Sequence, residues 1–234
     1  SGHSLQKEET EFIIRNNIGG VVLFSRNIAN PEQVRNLCAE IQSLRFKMPD
    51  KQPLFIGVDQ EGGRVARLKS PFTVWPAMRK VGALDSTSVA FKVGNVIGTE
   101  LKAVGINLDF APCADILTNP TNTAIGDRSF GSDPEVVARI ASAMARGFIK
   151  ADVIPCIKHF PGHGNTIVDS HFELPIEEKS LEELEAVELI PFRKALRTKL
   201  DFLMFAHIKY PKIDPVWPAT LSPKFVEIAR QNLK

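Results

Sequence analysis

The chain has 234 residues, a formal net charge of +2 and 44% hydrophobic residues, enough for one large domain or two small ones with a buried core. Its basic residues are scattered and no apolar run nears the ~18 residues of a membrane span, which argues against a nucleic-acid binder or a spanning protein. SGHSLQKEET at the start has no signal-peptide pattern, and Cys38, Cys113 and Cys156 sit in apolar contexts that read as buried free thiols, so a reducing, cytoplasmic location is expected, with an exported or lipid-anchored form as the alternative.

Short apolar runs alternate with helical patterns along the chain. GGVVLFSRN reads as a buried strand, and NPEQVRNLCAEIQSL as a helix with Asn30 as N-cap and Pro31 in its first turn. PLFIGVD is a second strand. A long loop rich in glycine, proline and arginine then leads to a helix over roughly 86–104. INLDFAP is a third strand, and Asp133 caps the helix PEVVARIASAMARGFIK. VIPCIKHF is a fourth strand. Ser180 and Glu183 form a capping box for LEELEAVELIPFRKALR, in which Pro191 should kink or break the helix. FLMFAHI is a fifth strand and SPKFVEIARQNLK a last helix.

Strands that read as continuous apolar runs, each followed by a helix, predict one α/β domain over 1–234 with a parallel sheet covered on both faces. Ser25, Arg26, Asp59, Asp109, Lys158, His159 and His207 all fall at or just past the C-terminal ends of these strands. That edge is where ligands bind, in barrels and in doubly wound sheets alike. No Gly-x-Gly-x-x-Gly follows a strand, which disfavours a dinucleotide fold and favours a (β/α)₈ barrel. Eight strands and about 250 residues are usual for a barrel, and only five strands are legible.

KHFPGHGNTIVDSH, residues 158–171, concentrates the chemistry: three of the five histidines, a lysine and an aspartate share fourteen positions. Lys158 and His159 are two donors on a strand end, aimed at a polar ligand or snorkelling to solvent. Asp169 and His171 share a face if the loop is extended. A carboxylate beside an imidazole raises its pKa and fixes its tautomer, as a proton shuttle requires. The bland reading is a surface pair. His163, between two glycines, reads as a loop anchor. The histidines and Asp169 also offer zinc ligand types, but the spacing fits no compact metal motif and Lys158 would repel a cation, so no metal or other cofactor is assigned. Asp59 and Glu61 are either a glycosidase-type carboxylate pair, hydroxyl acceptors for a sugar, or partners of Arg64 or Arg67. Arg128 is either a ligand clamp or a loop-pinning ion pair.

GGVVLFSRNI (19–28), GVDQEGGRVARL (57–68), LDFAPCADI (108–116), IGDRSFGSDP (125–134), KHFPGHGNTIVDSHFELP (158–175) and FAHIKYPKIDPVWPATLS (205–222) together resemble the β-N-acetylhexosaminidase branch of the family 3 glycoside hydrolases. The resemblance implies a (β/α)₈ barrel that releases terminal β-linked N-acetylglucosamine from peptidoglycan-derived or chitin-like oligosaccharides, with retention of configuration. It implies that Asp59, helped by Arg67, binds outer sugar hydroxyls; that Arg128, Lys158 and His159 hold the ring and its substituents; and that His207 is a weaker contact. His171 would be the general acid/base, oriented by Asp169 on a loop that closes over the sugar. Asn165 stands where an acidic residue is common in the motif. The family's nucleophile is an aspartate expected beyond Lys234, its first strand is expected before Ser1, and two more strands would follow. On this reading the 234 residues alone are an inactive, sugar-binding fragment. The partner is a carbohydrate, with no nucleic acid or membrane, and a monomer is expected. A β-glucosidase or phosphorylase-type activity is the alternative within the family.

Overall fold

The computed structural model describes residues 2–167, 173–198, 200–231 and 233. Asp169 and His171 lie outside the described residues. Each of the five predicted strands forms: β1 (Gly20–Leu23), β2 (Phe55–Val58), β5 (Leu108–Asp109), β6 (Ile154–Phe160) and β7 (Phe202–Phe205). A small antiparallel hairpin, β3 (Gln60–Gly62) with β4 (Val65–Ala66), rises directly after β2. The helices are α1 (Lys7–Arg15), α2 (Pro31–Ser43), α3 (Met78–Ala83), α4 (Thr87–Ala103), α5 (Pro134–Lys150), α6 (Leu181–Ala186), α7 (Leu189–Leu196) and α8 (Pro223–Gln231).

Local chemistry explains the helix starts. The Asn30 side chain accepts from the Gln33 amide at 2.9 Å with Pro31 in the first turn, and Asp133 accepts from the amides of Glu135 and Val136 at 2.8 and 2.9 Å. Ser180 and Glu183 cap reciprocally, at 2.7 and 3.2 Å. Such caps satisfy orphan amides and each contributes about 1 kcal/mol. The break that Pro191 imposes falls upstream of it. α6 ends at Ala186, and Pro191 becomes the third residue of α7, where its missing N–H costs nothing. The composition of 60–83 reads as loop, yet it holds the hairpin and α3. Both are too short for periodicity to register and are set by tertiary contact. α1 went unrecognised for a similar reason: it buries only Ile13.

All five strands of the main sheet are parallel, in the order β1-β2-β5-β6-β7, each beside its sequence neighbour. A doubly wound sheet reverses its strand order at a switch point; this sheet never does, so it is the wall of a barrel. The wall is strongly curled. Phe55 on β2 and Phe202 on β7, with two strands between them, meet edge-on with ring centroids 5.1 Å apart. On the outside, α4 and α5 approach closely through glycines: a Cβ on Gly94 would stand 2.2 Å from Met144 O, and one on Gly147 2.2 Å from Phe91 O. Behind β6, Phe160 stacks edge-on with Phe192 and Phe225 from α7 and α8. It is fully buried, and a side chain of that size gains roughly 2–3 kcal/mol on burial, which fixes the end of β6. The three cysteines are free and buried, and among the described residues no helix is long and apolar enough to cross a membrane.

Candidate active site

The C-terminal edge of the sheet opens into a pocket of about 840 Å³ whose walls include Asp59, Arg67, Arg128, Lys158, His159 and His207. All six binding residues expected from the sequence therefore meet in one cavity. Asp59 follows β2, Arg67 follows the hairpin, and Arg128 ends a 3₁₀ turn after β5. Lys158 and His159 are adjacent in β6, where the register with β7 shifts between Lys158 and Phe160. An irregularity of this kind re-aims side chains; here Lys158 and His159 both line the cavity.

Lys158 is the centre of the charge network. Its Nζ lies 2.8 Å from Asp59 Oδ1 and 2.6 Å from Glu61 Oε1, with only 2% of the side chain exposed. Burial pulls its pKa down, but Glu61 and then Asp59 outweigh that, so the pKa is raised and the ammonium stays charged. Arg128 holds Glu61 by a two-pronged contact, Nε to Oε2 at 2.9 Å and Nη2 to Oε1 at 2.7 Å. Burial pushes Glu61 up, but Lys158 and Arg128 together hold its pKa at about 2. Glu61 is thus an ionised structural anion, 1% exposed, and cannot be a proton donor. Closed off from the pocket between Lys158 and Arg128, Glu61 has no room to act on a ligand, which argues against the glycosidase-type pairing of Asp59 with Glu61. Arg128 pins its loop through Glu61 and the Ala124 carbonyl while still reaching the pocket, so the two readings of it were not exclusive.

Asp59 differs from Glu61 in being reachable. Its Oδ1 faces Lys158, its Oδ2 lies 3.2 Å from Arg67 Nη2, and 21% of its side chain is exposed. Each carboxylate oxygen has a second lone pair, so it can accept hydroxyl protons from a ligand while its cations hold it still. Arg64 goes elsewhere, to Asp127 and to the carbonyls of Thr123 and Ala124. Asp109 is fully buried, with Oδ1 accepting from the Gln60 amide, and burial pushes its pKa well up. It holds the hairpin to the barrel wall.

One residue that the sequence reading passed over is central. Asp115, fully buried, accepts from His159 Nδ1 at 2.6 Å, from the His159 amide at 3.2 Å, from the His163 amide at 2.6 Å and from Cys113 Sγ at 3.2 Å. Burial pushes its pKa up, but His159 and His163 outweigh it and the pKa is lowered. The available signal was an aspartate inside the apolar run APCADIL past a strand end. For His159 itself, burial pulls the pKa down more strongly than Asp115 raises it, and its Nε2 lies 3.4 Å from Arg128 Nη2. Cys113, Asp115 and His159 have the donor types of a metal site. Asp115 is already saturated by four donors, however, and the Arg128 guanidinium stands beside the imidazole, so the trio reads as a hydrogen-bond hub.

His163 is buried and anchors its loop as expected; its Nδ1 lies 2.8 Å from Thr166 Oγ1, and Asn122 donates to its carbonyl at 2.7 Å. The far limb of the same loop pairs with the segment after β7, the Glu177 amide donating to Lys209 O and the Lys209 amide to Pro175 O, each at 2.9 Å. Asn165 joins the two limbs by donating to Glu177 Oε2 at 2.8 Å. Between these fixed limbs the sequence carries Asp169 and His171. On the opposite wall, His207 Nδ1 lies 2.7 Å from the Thr220 hydroxyl, which donates to Ala206 O. With the hydroxyl proton spent on that carbonyl, His207 Nδ1 is the donor to Thr220.

Residues 2–234 match the glycosyl hydrolase family 3 N-terminal domain. The chain belongs to that family. A β-hexosaminidase of Pseudomonas aeruginosa is 42% identical over 235 residues, covering 100% of this chain and 68% of the relative. One from Neisseria gonorrhoeae is 45% identical over 217 residues, 90% of this chain and 58% of its own length. Among solved structures, a family 3 β-N-acetylglucosaminidase from Paenibacillus sp. superposes with a TM-score of 0.95 at 41% identity, over 100% of this chain and 44% of that one. NagZ from N. gonorrhoeae in complex with N-trifluoroacetyl-D-glucosamine superposes with a TM-score of 0.92 at 40% identity, over 99% of this chain and 68% of that one. Family 3 neighbours of this kind bear out the barrel expected from the sequence, and the chain spans less than half the length of the Paenibacillus enzyme.

Proposed function

We propose that the chain carries the sugar-binding and acid–base parts of an exo-acting, retaining β-N-acetylglucosaminidase. The observation that supports this most is Asp59, a part-exposed carboxylate clamped between Lys158 and Arg67 at the mouth of a barrel. It is suited to count hydroxyls at the closed end of a terminal sugar. The names of the relatives point the same way.

In this mechanism Asp59 accepts the outer hydroxyl protons, while Arg128, Lys158 and His159 hold the ring and its substituents. His171, as imidazolium, protonates the leaving oxygen; as imidazole it then takes a proton from the incoming water. Asp169 keeps its ring oriented. Histidine in place of a carboxylic acid fits a group delivered by a loop after the sugar has bound. The covalent step needs an aspartate nucleophile, which the family resemblance puts beyond Lys234, so the 234 residues alone are proposed to bind the sugar without cleaving it. Cell-wall-derived or chitin-like oligosaccharides are the proposed substrates. A cytoplasmic, monomeric protein is proposed with them, the three buried thiols supporting a reducing compartment.

The test is hydrolysis of aryl β-N-acetylglucosaminide against aryl β-glucoside by the protein extended to its natural length, with and without phosphate. Preference for the N-acetyl sugar, without a phosphate requirement, is the expected result. Faster cleavage of the glucoside, or turnover that depends on phosphate, would replace this reading by the other family activity. His171→Ala should lower kcat about 10²–10⁴-fold with leaving groups that need protonation and far less with those that do not.

A further inference from the structure

We propose that Asp115 is a positioning residue that sets the tautomer of His159 and, through the same carboxylate, ties that imidazole to the stem of the loop leading to Asp169 and His171. The inference rests on the sugar-binding role of His159 given above, and it names a residue outside the pocket that controls it.

The geometry divides the work of the carboxylate. Oδ2 takes the His159 ring nitrogen at 2.6 Å, and Oδ1 takes the His163 amide at 2.6 Å and the His159 amide at 3.2 Å. Asp115 is an anion with nothing to donate, so the His159 nitrogen facing it must carry the proton. A neutral imidazole with its proton on Nδ1 has a bare lone pair on Nε2, and that is the nitrogen 3.4 Å from Arg128 Nη2. His159 therefore meets the pocket as an acceptor. The opposite tautomer would set the bare Nδ1 lone pair against the carboxylate and an N–H against the guanidinium. An orienting carboxylate behind a functional imidazole fixes ring, tautomer and basicity together.

The second function follows from Oδ1. His163 is the second residue of the GHGNT turn (162–166), and the hydrogen bond its amide donates to Asp115 is among the shortest in the site. Thr166 and Asn122 brace the same turn through His163 Nδ1 and its carbonyl. One buried carboxylate thus fixes both a pocket residue and the point from which the loop departs.

Ring nitrogen shifts of ¹⁵N-histidine-labelled protein test this directly, with the His159 signals assigned by their loss in His159→Asn. The expected result is the Nδ1–H tautomer of His159 near pH 7 in the parent, and its loss in Asp115→Asn, whose amide can donate to Nδ1 and force the proton to Nε2. In the protein of natural length the same variant should lose about 10–100-fold in kcat/KM, with KM raised through His159 and kcat lowered through the loop stem. A parent His159 in the Nε2–H form, or an Asp115→Asn variant with unchanged tautomer, overturns the proposal. If Asp115→Asn does not fold, the parent spectrum alone decides. A parent of natural length that shows the Nδ1–H form yet cleaves no N-acetylglucosaminide would sink the functional reading and leave the positioning role standing.

Discussion

Lys158 Nζ and Asp59 Oδ1 are separated by 99 positions in the chain and by 2.8 Å in the fold. With Glu61 at 2.6 Å on its other side, the lysine is the tie between the hairpin after β2 and the end of β6. Removing one member of a buried ion network strands its partners in a low dielectric, which typically costs 3–5 kcal/mol. Lys158→Met should therefore destabilise the protein by about that amount in urea unfolding, besides abolishing sugar binding measured by calorimetry. A variant as stable as the parent would show that Arg128 alone compensates Glu61.

Glu61 predicts the shape of the acid limb. Its folded pKa of about 2 lies below the value of about 4.3 for an unfolded glutamate. Between those values the unfolded chain binds more protons than the folded one, so stability is complete above about pH 4.3 and falls as pH drops towards 2. Melting temperature followed from pH 6 to pH 2 should decline through this window. Glu61→Gln should start lower at neutral pH and decline less steeply; an equal slope would assign the acid limb to other carboxylates.

Gly164 is a packing requirement of the loop stem. A Cβ there would stand 1.8 Å from the Ile116 carbonyl oxygen, a backbone atom that cannot swing aside. Gly164→Ala should cost about 1–3 kcal/mol of stability and lower kcat more than it raises KM, because the stem that moves leads to His171. Steady-state kinetics of the natural-length protein, beside thermal melting, measures both. Intact kcat in a destabilised variant would confine the glycine's role to folding.

Asn165 can be tested by a one-atom change in character. Its amide donates to Glu177 Oε2 at 2.8 Å, and Glu177 is itself buried. Asn165→Asp would set two carboxylates against each other across the two limbs, and like charges at that distance cannot both ionise without penalty. In the natural-length protein we expect kcat/KM to fall, and to recover in the double variant Asn165→Asp, Glu177→Gln. No recovery would mean that Asn165 acts through Thr118 instead, whose hydroxyl lies 3.1 Å away.

Taken residue by residue, the sequence alone determined whatever depends on near neighbours. The N-caps at Asn30, Asp133 and Ser180, the break near Pro191 and all five strands formed as expected, because caps, turns and apolar runs are settled within a few residues. The polar groups at strand ends could be read as a site for the same reason: parallel strands deliver their ends to one edge. Only tertiary structure decided what each charge does. Glu61 and Asp59 are two residues apart and equally acidic in sequence, yet one is buried between Lys158 and Arg128 and the other opens to the pocket. Asp115 was passed over because its partners, His159 and His163, lie 44 and 48 positions away. Burial and the sign of the nearest charge set the work of an ionisable group, and both are fixed by contacts that the chain makes only when it closes into a barrel wall.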